Sequence, residues 1–316
     1  MCGIVGFFEK SGTVDAPVGV TLLRMLTALG CRGPDSAGMA LWGEGADGLV
    51  VRVKLGATDD LEARRREVVR QARRITRVRT AAAQGSLLRL VVAKAEPDAL
   101  AAAIEAIGPD VEVVSLGRRL EIVKQVGAPR TLDTAFGVSQ WTGTHGLGHT
   151  RLSTESRVDL SHSQPFWAHG TPDLAVVHNG HITNYHKLRR IYEQAGVRFY
   201  TENDSEIIGV YLARQLAGGR SLGEALAASV RELDGSFSYL AATADAFGFA
   251  KDPFGLKPLL VAETERAVAV ANEEIALQGA LGGPSRAREA GVGAVGLWER
   301  PARATRRRAR PPRRAA

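Results

Sequence analysis

The chain has 316 residues, 45% of them hydrophobic and 24% charged, which suits a soluble-type globular core of one large domain or two smaller ones. No apolar run reaches the roughly 18 residues a membrane-spanning helix needs, and the start Met-Cys-Gly-Ile-Val-Gly-Phe-Phe-Glu-Lys lacks the basic opening and apolar length of a signal peptide. The formal charge of +7 resides in residues 301–316, which hold seven arginines and no acid, so a basic pI says little about the rest. Two cysteines, Cys2 and Cys31, are too few for a disulfide framework and fit a reducing cytoplasm.

In chain order, residues 3–8 predict a buried strand, and the apolar spacing of Val20, Leu22, Leu23, Leu26 and Leu29 predicts a helix over 17–29. The loop Cys31-Arg32-Gly33-Pro34-Asp35-Ser36-Ala37-Gly38 leads into a strand at Met39–Trp42. Residues 46–138 change character. Strands are predicted at Leu49–Val53, Ser86–Ala93, Val111–Ser115 and Leu120–Val123, with an Arg/Glu-rich helix over Asp59–Ile75 and a second helix opened by Pro97 and running to Ile107. This reads as a self-contained inserted α/β domain with no catalytic cluster. Beyond it, strands are predicted at Gly146–Leu152, Asp173–His178, Ser236–Ala242, Gly248–Lys251, Leu259–Ala262 and Ala267–Ala271. Helices fall at Asn184–Ala195, Ser205–Leu216 and Leu222–Glu232, the second started by Asn203-Asp204. Strand runs separated by helix runs indicate an α+β layered sandwich, not a regular βαβ repeat. Residues 301–316 lack apolar side chains to bury and are expected to form a disordered tail. An electrostatic contact of that tail with nucleic acid or an acidic partner is the other reading, though nucleic acid is not an expected partner.

Four features carry chemistry. Removal of Met1 would give Cys2 a free α-amine, whose ordinary pKa of about 7.7–8.0 lets it serve as base for its own thiol. Arg151, at a strand end in Gly148-His149-Thr150-Arg151, presents a guanidinium able to grip a carboxylate through two bonds. Asn179-Gly180 follows an apolar strand; it is either a hairpin turn or a pair of donors for an oxyanion, the Asn179 amide and the Gly180 N–H. Asp204, in Glu202-Asn203-Asp204-Ser205-Glu206, either helps to start a helix or holds a substrate ammonium. Together they describe a site for a zwitterionic amino acid with a side-chain amide, glutamine or asparagine.

Seven motifs in order carry a resemblance: Met1 to Gly6, Arg32 to Gly38, Gly148-His149-Thr150-Arg151-Leu152-Ser153-Thr154, Ser163-Gln164-Pro165-Phe166, His178-Asn179-Gly180, Asn203-Asp204-Ser205-Glu206, and Asp252-Pro253-Phe254-Gly255-Leu256-Lys257-Pro258-Leu259. Over residues 2–45 and 140–277 the chain resembles the class II glutamine amidotransferases, the glutaminase domains of amidophosphoribosyltransferase, glucosamine-6-phosphate synthase, asparagine synthetase and glutamate synthase. The resemblance implies a four-layer αββα N-terminal-nucleophile fold over 2–45 and 139–300, interrupted by the insert at 46–138. It implies Cys2 as nucleophile through a glutamyl thioester, Asn179 and Gly180 as oxyanion hole, and Arg151 and Asp204 as ligands of the glutamine backbone. It also places Arg32 near the nucleophile and Thr154 in the pocket, and assigns no histidine as base, so His149, His178 and His181 are expected to be structural.

The chain further resembles the free-standing glutaminase subunits of glutamate-synthase-type systems, including N-methylglutamate synthase, in which a separate flavin- and iron–sulfur-containing subunit uses the ammonia. The expected partners are therefore L-glutamine and a synthase subunit, without membrane attachment. This chain has neither a cysteine cluster for iron–sulfur ligation nor a dinucleotide fingerprint, so no cofactor is expected on it. Two alternatives stay open: an amidophosphoribosyltransferase-like enzyme or other amidohydrolase of this fold, and a non-catalytic partner-binding or regulatory subunit.

Overall fold

The computed structural model describes residues 2–84, 87–152, 158–281 and 286–301. The apolar run behind Cys2 forms β1 (Gly3–Glu9), and Val18, Leu22, Met25 and Leu26 share the buried face of α1 (Val18–Ala28). β2 (Ser36–Trp42), buried along its length, follows. The chain then makes β3 (Leu49–Lys54), α2 (Leu61–Ile75), β4 (Val78–Gln84), β5 (Leu87–Val92), α3 (Pro97–Glu105) and β6 (Glu112–Gly117). β7 (Leu120–Val126), α4 (Arg130–Phe136), β8 (His145–Arg151), β9 (Phe166–Trp167) and β10 (Ala175–Ile182) come next. Three helices follow, α5 (Tyr185–Gln194), α6 (Asp204–Ala217) and α7 (Leu222–Glu232). The rest is β11 (Gly235–Ala242), β12 (Ala246–Lys251), β13 (Leu260–Glu263), β14 (Ala267–Ala271), α8 (Glu274–Leu281), β15 (Arg288–Glu289) and β16 (Val295–Glu299).

Two antiparallel sheets face each other, in the orders β15-β13-β14-β1-β8-β2-β7 and β16-β12-β11-β10-β9. Ile4, Leu147, Leu240 and Phe247 belong to the core between them. α1 and α8 cover the outer face of the first sheet, and α6 and α7 cover that of the second, where Ile208, Leu212 and Leu226 pack against Phe237 and Tyr239. The result is the αββα sandwich, with β1 and β10, the strands of the two central motifs, in adjacent layers.

The third sheet, β4-β5-β3-β6, is antiparallel throughout. Its βαββαβ order makes it a ferredoxin-like split βαβ unit, with α2 and α3 packed together. Two expectations about residues 46–138 need correction. β7 pairs with β2 from Ser36↔Val126 to Trp42↔Leu120, and α4 packs on α1 and β7, so both belong to the main sandwich and the inserted sheet spans 49–117. Nor is the insert self-contained: Val51, Leu88 and Leu116 join the same continuous core as Ile4 and Ile122. A partly buried charge cluster reinforces the junction. Glu121 on β7 accepts two bonds from Arg89 (2.7 and 2.8 Å) and one from Arg52 Nε at 2.9 Å, and Arg52 also donates to Gln84 Oε1 at 2.8 Å. Among the described residues, no helix is long and apolar enough to cross a membrane. The tail expected at 301–316 lies, beyond Pro301, outside the described residues.

Candidate active site

Cys2 is half-buried at the start of β1, with its Sγ 3.9 Å from Leu152 O. Two contacts fix the backbone behind it. Ile4 N donates to Asn272 Oδ1 at 2.5 Å, while Asn272 Nδ2 donates to Pro258 O at 2.8 Å. Arg32 Nε donates to Cys2 O at 3.3 Å, and its guanidinium pairs with Glu273. Arg32, expected near the nucleophile, braces the nucleophile strand there and is not among the residues that line the cavity.

The register of β1 against β8 pairs Gly3 with Thr150, which brings Cys2 alongside Arg151 at the end of the sheet. Arg151 is buried and lines the cavity. Burial pulls its guanidinium pKa below the ordinary value, against the opposing pull of Cys2, Asp159 and Asp35. Gly33 allows this approach: a Cβ there would sit 2.5 Å from Arg151 N.

β10 supplies the other wall. Opposite Gly180, Phe237 turns both its backbone groups toward Asp252: Phe237 N donates to Asp252 Oδ2 at 2.9 Å, and Phe237 O accepts from Asp252 N at 3.0 Å. The N–H groups of His178, Gly180 and Ile182 therefore share the far edge of β10, since alternate residues of an antiparallel strand point the same way. His178 N donates to Gln164 Oε1 at 2.6 Å and Ile182 N to Asp204 Oδ2 at 2.8 Å. Gly180, the rung between them, is among the residues that line the cavity. Gly180 has φ +146°, and a Cβ would lie 2.2 Å from Ser236 O, so a side chain there is excluded. Beside it, the Asn179 side chain is buried, and its Nδ2 has no hydrogen-bond partner among the described residues. A buried amide without a partner costs on the order of 1–3 kcal/mol, which a bound oxygen would relieve.

Asp204 is the first residue of α6, capped by Asn203, whose side chain accepts from Ser205 N at 3.0 Å. Cys2, Arg151, Asn179, Gly180 and Asp204 thus line one cavity of about 670 Å³. Thr154, expected in the same pocket, lies outside the described residues. A cation, a carboxylate, a thiol and the Asn179-Gly180 amides lining one cavity suit a zwitterion with an electrophilic carbonyl. Among the described residues there is no cluster of three or more His, Cys, Asp or Glu side chains arranged for a metal.

The comparisons agree with this geometry. The family model described as glutamine amidotransferase domain matches residues 149–279. A glutamine amidotransferase-like protein, GlxB, of Rhizobium meliloti is 37% identical over 282 residues, covering 88% of this chain and 91% of that protein. The chain belongs to the class II glutamine amidotransferase family. This amidotransferase is also 31% identical to the amidophosphoribosyltransferase of Methanocaldococcus jannaschii over 161 residues, covering 51% of its own length and 33% of the relative's. In fold it matches the glutamine phosphoribosylpyrophosphate amidotransferase of B. subtilis with a TM-score of 0.61 at 20% identity, over 94% of this chain and 47% of that one. It is thus an enzyme of amide hydrolysis on an N-terminal-nucleophile sandwich.

The amidotransferase site includes a framework that sequence reasoning left without roles. Gln164 Nε2 donates to His178 O at 3.1 Å and to Ser205 Oγ at 3.0 Å, and Ser205 Oγ bonds His178 Nδ1 at 2.8 Å. One residue from each of three motifs closes this network, and the shared presence of the motifs was its only advance signal. His149 and His178 are fully buried, and burial holds His149 down to about 3 and lowers His178, whereas the His181 side chain is largely exposed.

Proposed function

We propose that this amidotransferase hydrolyses L-glutamine to glutamate and ammonia through a glutamyl thioester on Cys2. The observation that carries the reading is the placement of Arg151 and Asp204, of opposite charge, in one cavity with Cys2 and Asn179, whose Nδ2 has no partner among the described residues. Arg151 receives the α-carboxylate and Asp204 the α-ammonium. After removal of Met1, the Cys2 α-amine takes the thiol proton as sulfur attacks the side-chain carbonyl. Asn179 Nδ2 and Gly180 N–H stabilise the oxyanion. The ammonium returns its proton to the departing NH2, releasing ammonia, and water then cleaves the thioester to glutamate and free thiol.

The ammonia passes to a synthase partner of glutamate-synthase type. Support comes from relatives in which the matching region is a minor part of a longer chain: it makes up 33% of the amidophosphoribosyltransferase and 20% of a glutamine–fructose-6-phosphate aminotransferase of Gloeobacter violaceus. The match in fold to the B. subtilis amidotransferase favours a second reading, transfer to a phosphoribosyl acceptor held elsewhere.

The test is intact mass and peptide mapping after incubation with 6-diazo-5-oxo-norleucine. A product lacking Met1 and modified on Cys2 is expected. Retained Met1 with no adduct, also in the presence of a candidate synthase, would leave a binding subunit instead.

A further inference from the structure

The insert bonds two segments adjacent in the chain to residues that line the cavity, one at Tyr200 and one at Ser161. At one end, Tyr200 Oη donates to Glu105 Oε2 at 2.6 Å, and Glu105, the last residue of α3, also accepts from Val113 N at 3.0 Å. The Tyr200 ring stacks on His169 with centroids 3.7 Å apart. Tyr200 N and Thr201 N each donate to Glu206 at 2.9 Å, and Asn203 N donates to Thr201 Oγ1 at 3.1 Å. An unbroken run of hydrogen bonds therefore leads from the insert to Asn203, the cap of the helix whose first residue is Asp204. Burial and the Glu105 carboxylate push the Tyr200 hydroxyl well above its ordinary range, so it remains a donor. Glu105 itself is only 5% exposed, a place where a carboxyl group is costly unless bonded.

At the other end, Lys54 of β3 and Glu112 of β6 both bond Ser161 Oγ and lie 3.3 Å from each other. Ser161 sits between Asp159, which acts electrostatically on Arg151, and Gln164, which fixes β10. His162 N and Nδ1 hold Asp159 Oδ1 at 2.9 and 2.7 Å.

We infer that Tyr200 and Glu105 are positioning residues for glutamine: through them the inserted sheet sets the place of Asp204 relative to Arg151, and so the affinity for the substrate's α-amino-acid end. This rests on the glutamine reading above. Neither residue touches the reacting atoms, and besides the one bond from Ile182 N to Asp204, the backbone at Cys2 and the strand of the oxyanion donors have contacts of their own, from Asn272, Arg32 and β11.

The experiment uses the full chain and two substitutions that delete the bond at similar volume, Tyr200→Phe, which retains the ring on His169, and Glu105→Met. Cys2 is alkylated with iodoacetamide, which needs no α-amino-acid clamp, and glutamine is titrated as protectant; KM and kcat are measured alongside. Each variant should raise KM and the half-protecting glutamine concentration on the order of 5- to 30-fold, the scale of one or two lost hydrogen bonds. The unprotected alkylation rate and kcat should stay within about twofold, and the double variant should be no worse than Glu105→Met alone, because the Tyr200–Glu105 bond is already lost there. Unchanged protection in the variants, or alkylation, kcat and melting temperature falling together, overturns the proposal. Failure of glutamine to protect the unsubstituted protein would overturn the glutamine reading itself, and this inference with it.

Discussion

Ile182 N donates to Asp204 Oδ2 at 2.8 Å, tying the strand that carries Asn179 and Gly180 to the first turn of α6. One carboxylate oxygen thus serves the framework while the group still lines the cavity. Charge and scaffold can be separated by substitution. Asp204→Asn keeps an oxygen for Ile182 and removes the charge. If Asp204 binds the ammonium, KM for glutamine should rise roughly 10- to 150-fold, the range of a charge-assisted bond, with little change in melting temperature. An unchanged KM would remove Asp204 from the substrate site.

Asn179→Ala deletes an amide whose Nδ2 has no hydrogen-bond partner among the described residues. Stability should hardly move, while kcat drops on the order of 100- to 1000-fold, as for loss of one oxyanion donor. Gly180→Ala acts in the opposite sense: its Cβ meets Ser236 O, so the expected result is a lowered melting temperature before any kinetic effect. Steady-state kinetics beside thermal melts distinguish the two.

The Arg52–Glu121–Arg89 cluster joins the inserted sheet to the main one. Burial alone would raise the Glu121 pKa, but the Arg89 and Arg52 guanidiniums hold it below its ordinary value. Glu121→Gln leaves Arg52, only 2% exposed, with an uncompensated charge, and should cost about 3–5 kcal/mol in denaturant unfolding. Because the folded pKa is depressed, the Glu121 contribution is present above the unfolded carboxylate pKa and fades as pH falls through the folded one. The penalty measured at pH 7 should therefore shrink in strong acid.

Burial lowers His145 to about 4 and His149 and His169 to about 3. Between those values and the ordinary pKa near 6.5, the unfolded chain binds protons that the folded one does not. Stability from these residues is complete above about pH 6.5 and is lost as pH falls toward 3–4. Calorimetry near pH 5 in buffers of different ionisation enthalpy should show proton uptake on unfolding, reduced by about one proton in His145→Gln. An uptake unaffected by that substitution would mean that His145 is charged in the folded state.

The pocket was legible in the sequence because its residues sit where strands end or helices begin, so motif and geometry coincide at Arg151, Asn179 and Asp204. Arg32 was less so: a guanidinium near a nucleophile does not announce whether it faces substrate or backbone. β4 escaped notice since Ala81, Ala82 and Ala83 have weak strand preference, and pairing with β5 overrides it. The far edge of the insert was misplaced for a related reason. The apolar alternation of β7 fits either sheet, and only its partner β2 decides between them.

The outer edge of β10 presents three donors two residues apart, to Gln164, to the cavity and to Asp204. The site is consequently counted by parity. Inserting one residue between His178 and Ile182 would exchange the occupied and open positions, turning the cavity-facing amide into the ladder of β11. Drift in the surrounding loops can alter specificity by degrees, but a single added or deleted residue in this strand is an all-or-none event for the site, whatever its identity.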